Sequence, residues 1–291
     1  MKILLIGSTI LDNIESPSLS LKPGGVFYNT LAFSFILKNT DELFLLTRYN
    51  SYLKSYYSKF AKKTNFSFSV ESKNIPEVYL IIQNVDERSE VYKNISASLS
   101  INESIAFNQF DGIFINMTTG FDITLKDLFF IRKRFNGLIY FDVHTLARGI
   151  DEKGNRNFKK IENAKDWLAN VDIVQANENE LLTLSDSTNE FDIANEVLTF
   201  GPKILIVTKA QKGARLFYRK DNALNSYFVK AQQYQVVNKI GCGDVFGTVF
   251  FYFYIATKNI FNSLKKAVEA GSLSTTFTTF EEYERIKNVF G

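Results

Sequence analysis

The stretch VNKIGCGDVFGTVFFYFYIA, residues 237–256, sets Gly241, Cys242, Gly243 and Asp244 directly ahead of an apolar, aromatic run. Glycine lets the backbone turn sharply, and a turn that opens a helix leaves converging N–H groups beside the positive end of the helix dipole. Such a corner suits an anion. One well-placed donor of this kind contributes roughly 3 kcal/mol when charge develops in a transition state. Asp244 falls in the first turn, where a carboxylate is favoured, and there it is also placed to take a proton from an attacking hydroxyl. Two readings stand side by side at this point. One is a plain turn with a capped helix. The other is the anion corner of a phosphoryl-transfer enzyme, where positioning and charge stabilisation dominate. The pattern is not a P-loop, because no Gly-Lys-Ser/Thr follows.

Working outward, a prior of roughly 150 residues per domain allows the 291-residue chain two units or one large α/β unit. Hydrophobic residues at 45% and charged residues at 22% are the balance of a soluble globular protein. The formal charge of +3 is spread along the chain, so no basic stripe argues for nucleic acid. Lys62-Lys63, Arg132-Lys133-Arg134 and Lys265-Lys266 read as solvated helix faces. Cys242 and His144 are the lone cysteine and histidine, which excludes an intrachain disulfide and a His/Cys metal cage. A reducing, cytoplasmic setting is the expectation. The amino-terminal MKILLIGSTILD is too short to span a bilayer and lacks a cleavage pattern, so it reads as a buried first strand. Residues 246–254 read as a core helix, since Lys258 and Asn259 interrupt the run too soon for a membrane span.

Short apolar runs at residues 3–6, 43–46, 112–115, 138–141, 172–174 and 204–207 predict buried strands. Helical periodicity fills residues 26–37 and 125–135, and more weakly 158–168 and 193–200. Strands alternating with helices predict a mostly parallel sheet covered on both faces, with ligands beyond the carboxyl ends of its strands. Residues 66–92, FSFSVESKNIPEVYLIIQNVDERSEVY, alternate at period two with a turn near Asp86-Glu87 and predict a small antiparallel lid. Residues 214–218 and 227–229 predict a hairpin at the far edge of the sheet. No flexible linker is evident, so residues 1–291 read as one α/β domain with an inserted lid at about 66–92.

With these elements in order, the carboxyl-terminal third resembles the ribokinase-like, or PfkB, family of carbohydrate and nucleoside kinases. That family's signature runs Asp-Thr-x-Gly-Ala-Gly-Asp-x-Phe, where this chain has Asn238-Lys239-Ile240-Gly241-Cys242-Gly243-Asp244-Val245-Phe246. The resemblance implies a three-layer α/β/α fold with a β lid. It also implies Asp244 as general base, with the backbone of Gly241, Cys242 and Gly243 as the anion hole. KPGGVFYNTLAF matches an amino-terminal Gly-Gly-x-x-x-Asn pattern in Gly24, Gly25 and Asn29, and GSTILD adds Asp12; these four are the implied acceptor-binding group. Asn29 offers both donor and acceptor to a polyol. NENE matches Asn-x-x-Glu in Asn177 and Glu180, implying magnesium held largely through water, with Asn177 also near the phosphates. VTKAQKGARLFY matches the nucleotide loop in Thr208 and Gly213, and DERSEVY resembles a lid turn around Arg88. A capped helix remains the plain alternative for Asn177 and Glu180.

The chain also departs from the pattern. Asn238, Lys239 and Ile240 replace the acid and threonines that open the signature. Potassium-using relatives need that acid, so monovalent-cation activation is not expected. Ala210 stands where the nucleotide loop has glycine, Val268 where an asparagine meets adenine, and FDVHT replaces Asp-Pro-Asn-x-Arg while keeping Asp142. His144 reads as a satisfied structural histidine. The interval from Asn13 to Pro23 is short for a family that commonly adds a lid strand there, which predicts a reduced lid. Lid-to-lid pairing in several relatives offers a homodimer through the lid as one assembly, and the sequence leaves the oligomeric state open.

The function these residues imply is ATP- and magnesium-dependent transfer of a phosphoryl group to a hydroxymethyl group of a sugar or nucleoside. The competing reading is a non-catalytic relative that binds a sugar or nucleotide and regulates. A dinucleotide-binding oxidoreductase is excluded, because GSTILD supplies no Gly-x-Gly-x-x-Gly.

Overall fold

The computed structural model of the chain describes residues 1–14, 20–82 and 88–290. The chain begins with β1 (Lys2–Ile6), β2 (Thr9–Ile14), β3 (Ser20–Gly25), α1 (Val26–Ile36), β4 (Glu42–Leu46) and β5 (Arg48–Tyr49). It continues through α2 (Ser51–Phe60), β6 (Thr64–Asn65), β7 (Val70–Glu71), β8 (Glu77–Ile82), β9 (Arg88–Lys93) and β10 (Gly112–Asn116). Next come α3 (Leu125–Arg134), β11 (Leu138–Asp142), β12 (Arg148–Ile150), β13 (Arg156–Phe158), α4 (Ala164–Leu168) and β14 (Ile173–Asn177). The last third holds α5 (Glu178–Leu181), α6 (Glu190–Phe200), β15 (Ile204–Thr208), β16 (Gly213–Lys220), β17 (Ala223–Lys230), α7 (Cys242–Thr257) and α8 (Ile260–Ser274).

The central sheet has nine strands in the order β17-β16-β15-β14-β11-β10-β1-β4-β6, and only β16 and β17 run antiparallel to their neighbours. The expected mostly parallel sheet, with its hairpin at one edge, is thus present. Each of the six expected buried strands is found, with ends shifted by at most three residues. Strand residues alternate between two cores, Ile3 and Leu5 facing one and Leu4 and Ile6 the other, as the period-two geometry of a strand requires. α7 is buried on nearly every side, through Val245, Phe246, Val249, Phe250 and Phe251. Each fully buried side chain of this size contributes about 1.5–3 kcal/mol, which anchors the helix and its glycine turn. Among the described residues no helix is long and apolar enough to cross a membrane.

The parallel register brings the carboxyl ends of four neighbouring strands into one row. Asn116 pairs with Asp142, Asp142 with Gln175, and Asn177 with Thr208.

The lid differs from its expected form. It is a four-stranded sheet, β3-β2-β8-β9, in which β2 and β3 pair antiparallel and β2 runs parallel to β8. The interval around Asn13 therefore builds lid strands after all, because the β2–β3 hairpin itself folds over the site. The segment assigned to the ribbon contributes less than expected. Thr64–Asn65 joins the main sheet and Val70–Glu71 pairs with β5, leaving only β8 and β9 as the ribbon. The turn at Asp86-Glu87 lies outside the described residues, and so does the side chain of Arg88. The expected helix at 158–168 is instead the end of β13 followed by the single short helix α4, since the apolar positions there serve both a hairpin and a helical turn.

Candidate active site

Gly241 caps α7 with φ of +79° and offers no side-chain cap. A Cβ at this position would lie 2.6 Å from the Tyr28 ring, so both conformation and space demand glycine. At Gly243 a Cβ would meet nothing closer than Gln175 Nε2 at 3.9 Å, so this residue faces open space. The first N–H groups of a helix have no intrahelical acceptor, and Gly241, having no side chain, supplies no cap of its own. The glycine turn thus sets the start of α7 at a cavity, with Asp244 in its first turn and 8% exposed.

Asp244 is held from below. Asn116 Nδ2 donates to its Oδ1 at 2.6 Å and to Asn29 Oδ1 at 2.9 Å. Asn29 Nδ2 in turn donates to the Asp244 carbonyl and to Thr248 Oγ1, both at 3.2 Å. Asn29 is fully buried and clamps α1 to α7; it does not border the cavity beneath the lid. Gly25 and Asp12 border that cavity, whereas Gly24 packs against Asp12, where a Cβ would approach Oδ2 to 2.2 Å. Tyr28 borders it too, its hydroxyl 3.5 Å from Asp12 Oδ2, and burial followed by the charge of Asp12 holds its phenol protonated well above the ordinary range. Phe27 is core, edge-on to Phe280 at 5.0 Å.

Two cavities meet at the turn. The first, about 410 Å3, is bordered by Thr208, Ala210, Gly213, Cys242, Gly243, Val268 and Asn177. The second, about 200 Å3, lies beneath the lid and is bordered by Asp12, Glu90, Tyr92, Asp142, Glu180 and Asp244. Among the residues singled out in the sequence, Thr208, Gly213, Asn177, Glu180, Asp12, Gly25, Gly241, Cys242, Gly243 and Asp244 all border one or both cavities. Ala210 takes a positive φ of 46°, the conformation a glycine would adopt freely, so alanine occupies the loop at some backbone strain.

Asn177 and Glu180 form a capping box at α5. The Asn177 side chain accepts from Asn179 N and Glu180 N, while Glu180 Oε2 accepts from Asn177 N at 2.8 Å. The helix-cap alternative is thus realised, and it holds both side chains at the cavity edge. Asp142 is buried, and burial raises its carboxyl well above the usual carboxylate range, with the charges of Glu180 and then Asp244 adding to the shift. Among the described residues no three His, Cys, Asp or Glu side chains are grouped tightly enough to bind a metal ion directly. Asn177 and Glu180 fit an ion that keeps most of its water.

Several functional positions were missed in the sequence. Gln175 accepts from Tyr140 Oη at 2.6 Å and donates to Asp142 Oδ2 at 2.8 Å and to the Gly243 carbonyl at 3.3 Å. It thereby ties the buried acid to the glycine turn. Glu90 on β9 meets Arg148 at 3.0 Å, and Arg156 lies over the Tyr92 ring at 4.3 Å and donates to the Thr119 carbonyl. These arginines lock β9 of the lid to the β12–β13 hairpin. Asn116 and Gln175 carry one readable signal, a polar residue at the carboxyl end of an otherwise apolar strand. His144 borders the cavity beneath the lid, with Nδ1 2.6 Å from Thr145 Oγ1.

Residues 142–279 match the family model described as the pfkB family of carbohydrate kinases. No curated protein matches the sequence. A sulfate complex of a pyrophosphate-dependent kinase in the ribokinase family superimposes with a TM-score of 0.80 at 15% identity, covering 97% of this chain and 99% of that one. Ribokinase from Thermotoga maritima gives 0.75 at 16% identity over 99% and 98% of the two chains. Arabidopsis thaliana ribokinase, complexed with ribose and ATP, gives 0.74 at 17% identity over 99% and 97%. The chain is therefore ribokinase-like in fold along its whole length. From residue 142 to 279 it also carries the PfkB sequence pattern.

Proposed function

We propose that this protein is an ATP- and magnesium-dependent kinase that phosphorylates a hydroxymethyl group of a sugar. The observation that carries the reading is the placement of Asp244 in the first turn of a glycine-capped helix at the junction of two cavities. On this reading Asp244 takes the proton of the acceptor hydroxyl. The N–H groups of the Gly241, Cys242 and Gly243 turn receive the phosphoryl oxygens, while Asp12 and Gly25 orient the acceptor beneath the lid. Thr208 and Gly213 border the donor, whose base occupies the larger cavity against Val268. Asn177 and Glu180 would hold magnesium through water, and the ion when bound would neutralise the donor phosphates.

An unphosphorylated acceptor is favoured over a sugar phosphate. Arg48 donates to the Ala97 and Ser98 carbonyls, and Lys22 borders a separate groove with Lys59. Neither reaches the acceptor-side cavity, which is rich in carboxylates. Release of ADP from Mg-ATP over a panel of pentoses, hexoses, cyclitols, hexose phosphates and nucleosides tests the reading. Turnover with an unphosphorylated sugar is the expected result. ATP binding without turnover on any acceptor would favour the regulatory reading instead.

A further inference from the structure

Four residues border both cavities: Asn177, Thr208, Lys239 and Gly243. A phosphoryl group moving from donor to acceptor crosses the space between them, and Lys239 is the single cation of the four. Among the described residues it is also the only lysine or arginine on the donor-side cavity. The acceptor side holds Asp12, Glu90, Asp142, Glu180 and Asp244, and its arginine, Arg148, faces Glu90 at 3.0 Å. An oligophosphate brought against these acids needs positive charge beyond the roughly half charge of a helix dipole.

The loop that carries Lys239 is fixed on both sides. Val237 N and Asn238 N donate to the Thr275 carbonyl, both at 2.9 Å, and Ile240 N donates to Asn238 Oδ1 at 2.9 Å. The Asn238 side chain therefore serves its own turn, and the exposed residue beside it, Lys239, carries its ammonium on a long, flexible stem.

We propose that Lys239 is a further catalytic residue, whose ammonium contacts the non-bridging oxygens of the phosphoryl group in transit. The proposal rests on the phosphotransfer reading above. In that step the acceptor oxygen bonds to the terminal phosphorus as the bond from phosphorus to the bridging oxygen breaks. The electron pair leaves with ADP, and the acceptor proton passes to Asp244. Lys239 exchanges no proton; it balances charge on the oxygens throughout.

Calorimetric binding of inorganic tripolyphosphate with magnesium, to wild type, Lys239→Met and Lys239→Arg, tests this without an acceptor. Tripolyphosphate carries no base, so its affinity reads the phosphate site alone. Lys239→Met is expected to weaken it about tenfold or more, with Lys239→Arg restoring most of the loss. On an active acceptor, kcat should fall further in Lys239→Met than the acceptor KM rises. Equal affinity in wild type and Lys239→Met overturns the proposal, as does a wild type that binds no tripolyphosphate. Failure of the kinase reading looks different: no acceptor turns over, while the Lys239→Met loss of anion binding persists.

Discussion

Asn116 and Asp244 lie 128 positions apart in the chain, yet the Asn116 carboxamide donates to the Asp244 carboxylate at 2.6 Å. The same Nδ2 reaches Asn29, so one amide at the end of β10 sets both α1 and the first turn of α7. Strand end, helix and turn are thus coupled through a side chain with no exposed surface.

Asn116→Ala removes that coupling and leaves buried polar groups without a donor. Such a loss costs about 1–3 kcal/mol in stability, readable by urea titration. The kcat should drop about tenfold or more while donor affinity stays near wild type, because Asp244 loses its orientation and the donor cavity does not. A folded variant with wild-type kcat would show that Asp244 is positioned by other contacts.

Asp142 makes stability depend on pH in a defined direction. Burial raises its carboxyl above the ordinary value, while the unfolded chain ionises near about 3.9. The folded state therefore keeps a proton that the unfolded state has released, and stability contributed below that pH is lost as pH rises toward the folded value. Asp142→Asn removes this loss. Its melting temperature should exceed that of wild type at pH 8, with the gap closing toward pH 4. A gap that is constant with pH would contradict the buried, protonated state.

Cys242 is the lone cysteine and borders the larger cavity. A thiol-alkylating reagent should modify a single position and abolish ATP binding, and Mg-ATP should slow the modification about tenfold at saturating concentration. Mass spectrometry of the labelled chain checks this. Labelling at an unchanged rate under saturating ATP would place the donor elsewhere.

Arg148→Met takes a cationic partner from Glu90, whose side chain is 3% exposed. Removing one side of a buried pair costs about 3–5 kcal/mol, and here the cost falls on the contact between lid and hairpin. The acceptor KM is expected to rise several-fold with little change in donor affinity, since the lid borders the acceptor side. Steady-state kinetics in both substrates separates the two; a selective rise in donor KM would contradict the assignment of the cavities.

The sheet was legible because Ile3–Ile6-type runs are apolar on both faces, as only strands buried between two helical layers are. Gly241 was legible because its positive φ and its approach to the Tyr28 ring leave few alternatives to glycine. The small antiparallel lid was legible in the alternation of β8 and β9, whereas its β2 and β3 strands were not, because they mix Asp12, Asn13, Lys22 and Pro23 with apolar residues. Asn29 was assigned to ligand from its motif, whereas burial gives it a structural task between α1 and α7. Gln175, Arg148 and Glu90 owe their placement to strand register and a hairpin contact, neither of which local sequence encodes.

The most direct test is acceptor-dependent ADP release by wild type and Asp244→Asn, with Mg-ATP binding measured on both. The account predicts turnover in wild type and a loss of about 10²–10⁴-fold in the variant, with ATP affinity retained. Activity within a few-fold of wild type in Asp244→Asn would contradict the assignment of the general base, and with it the central claim.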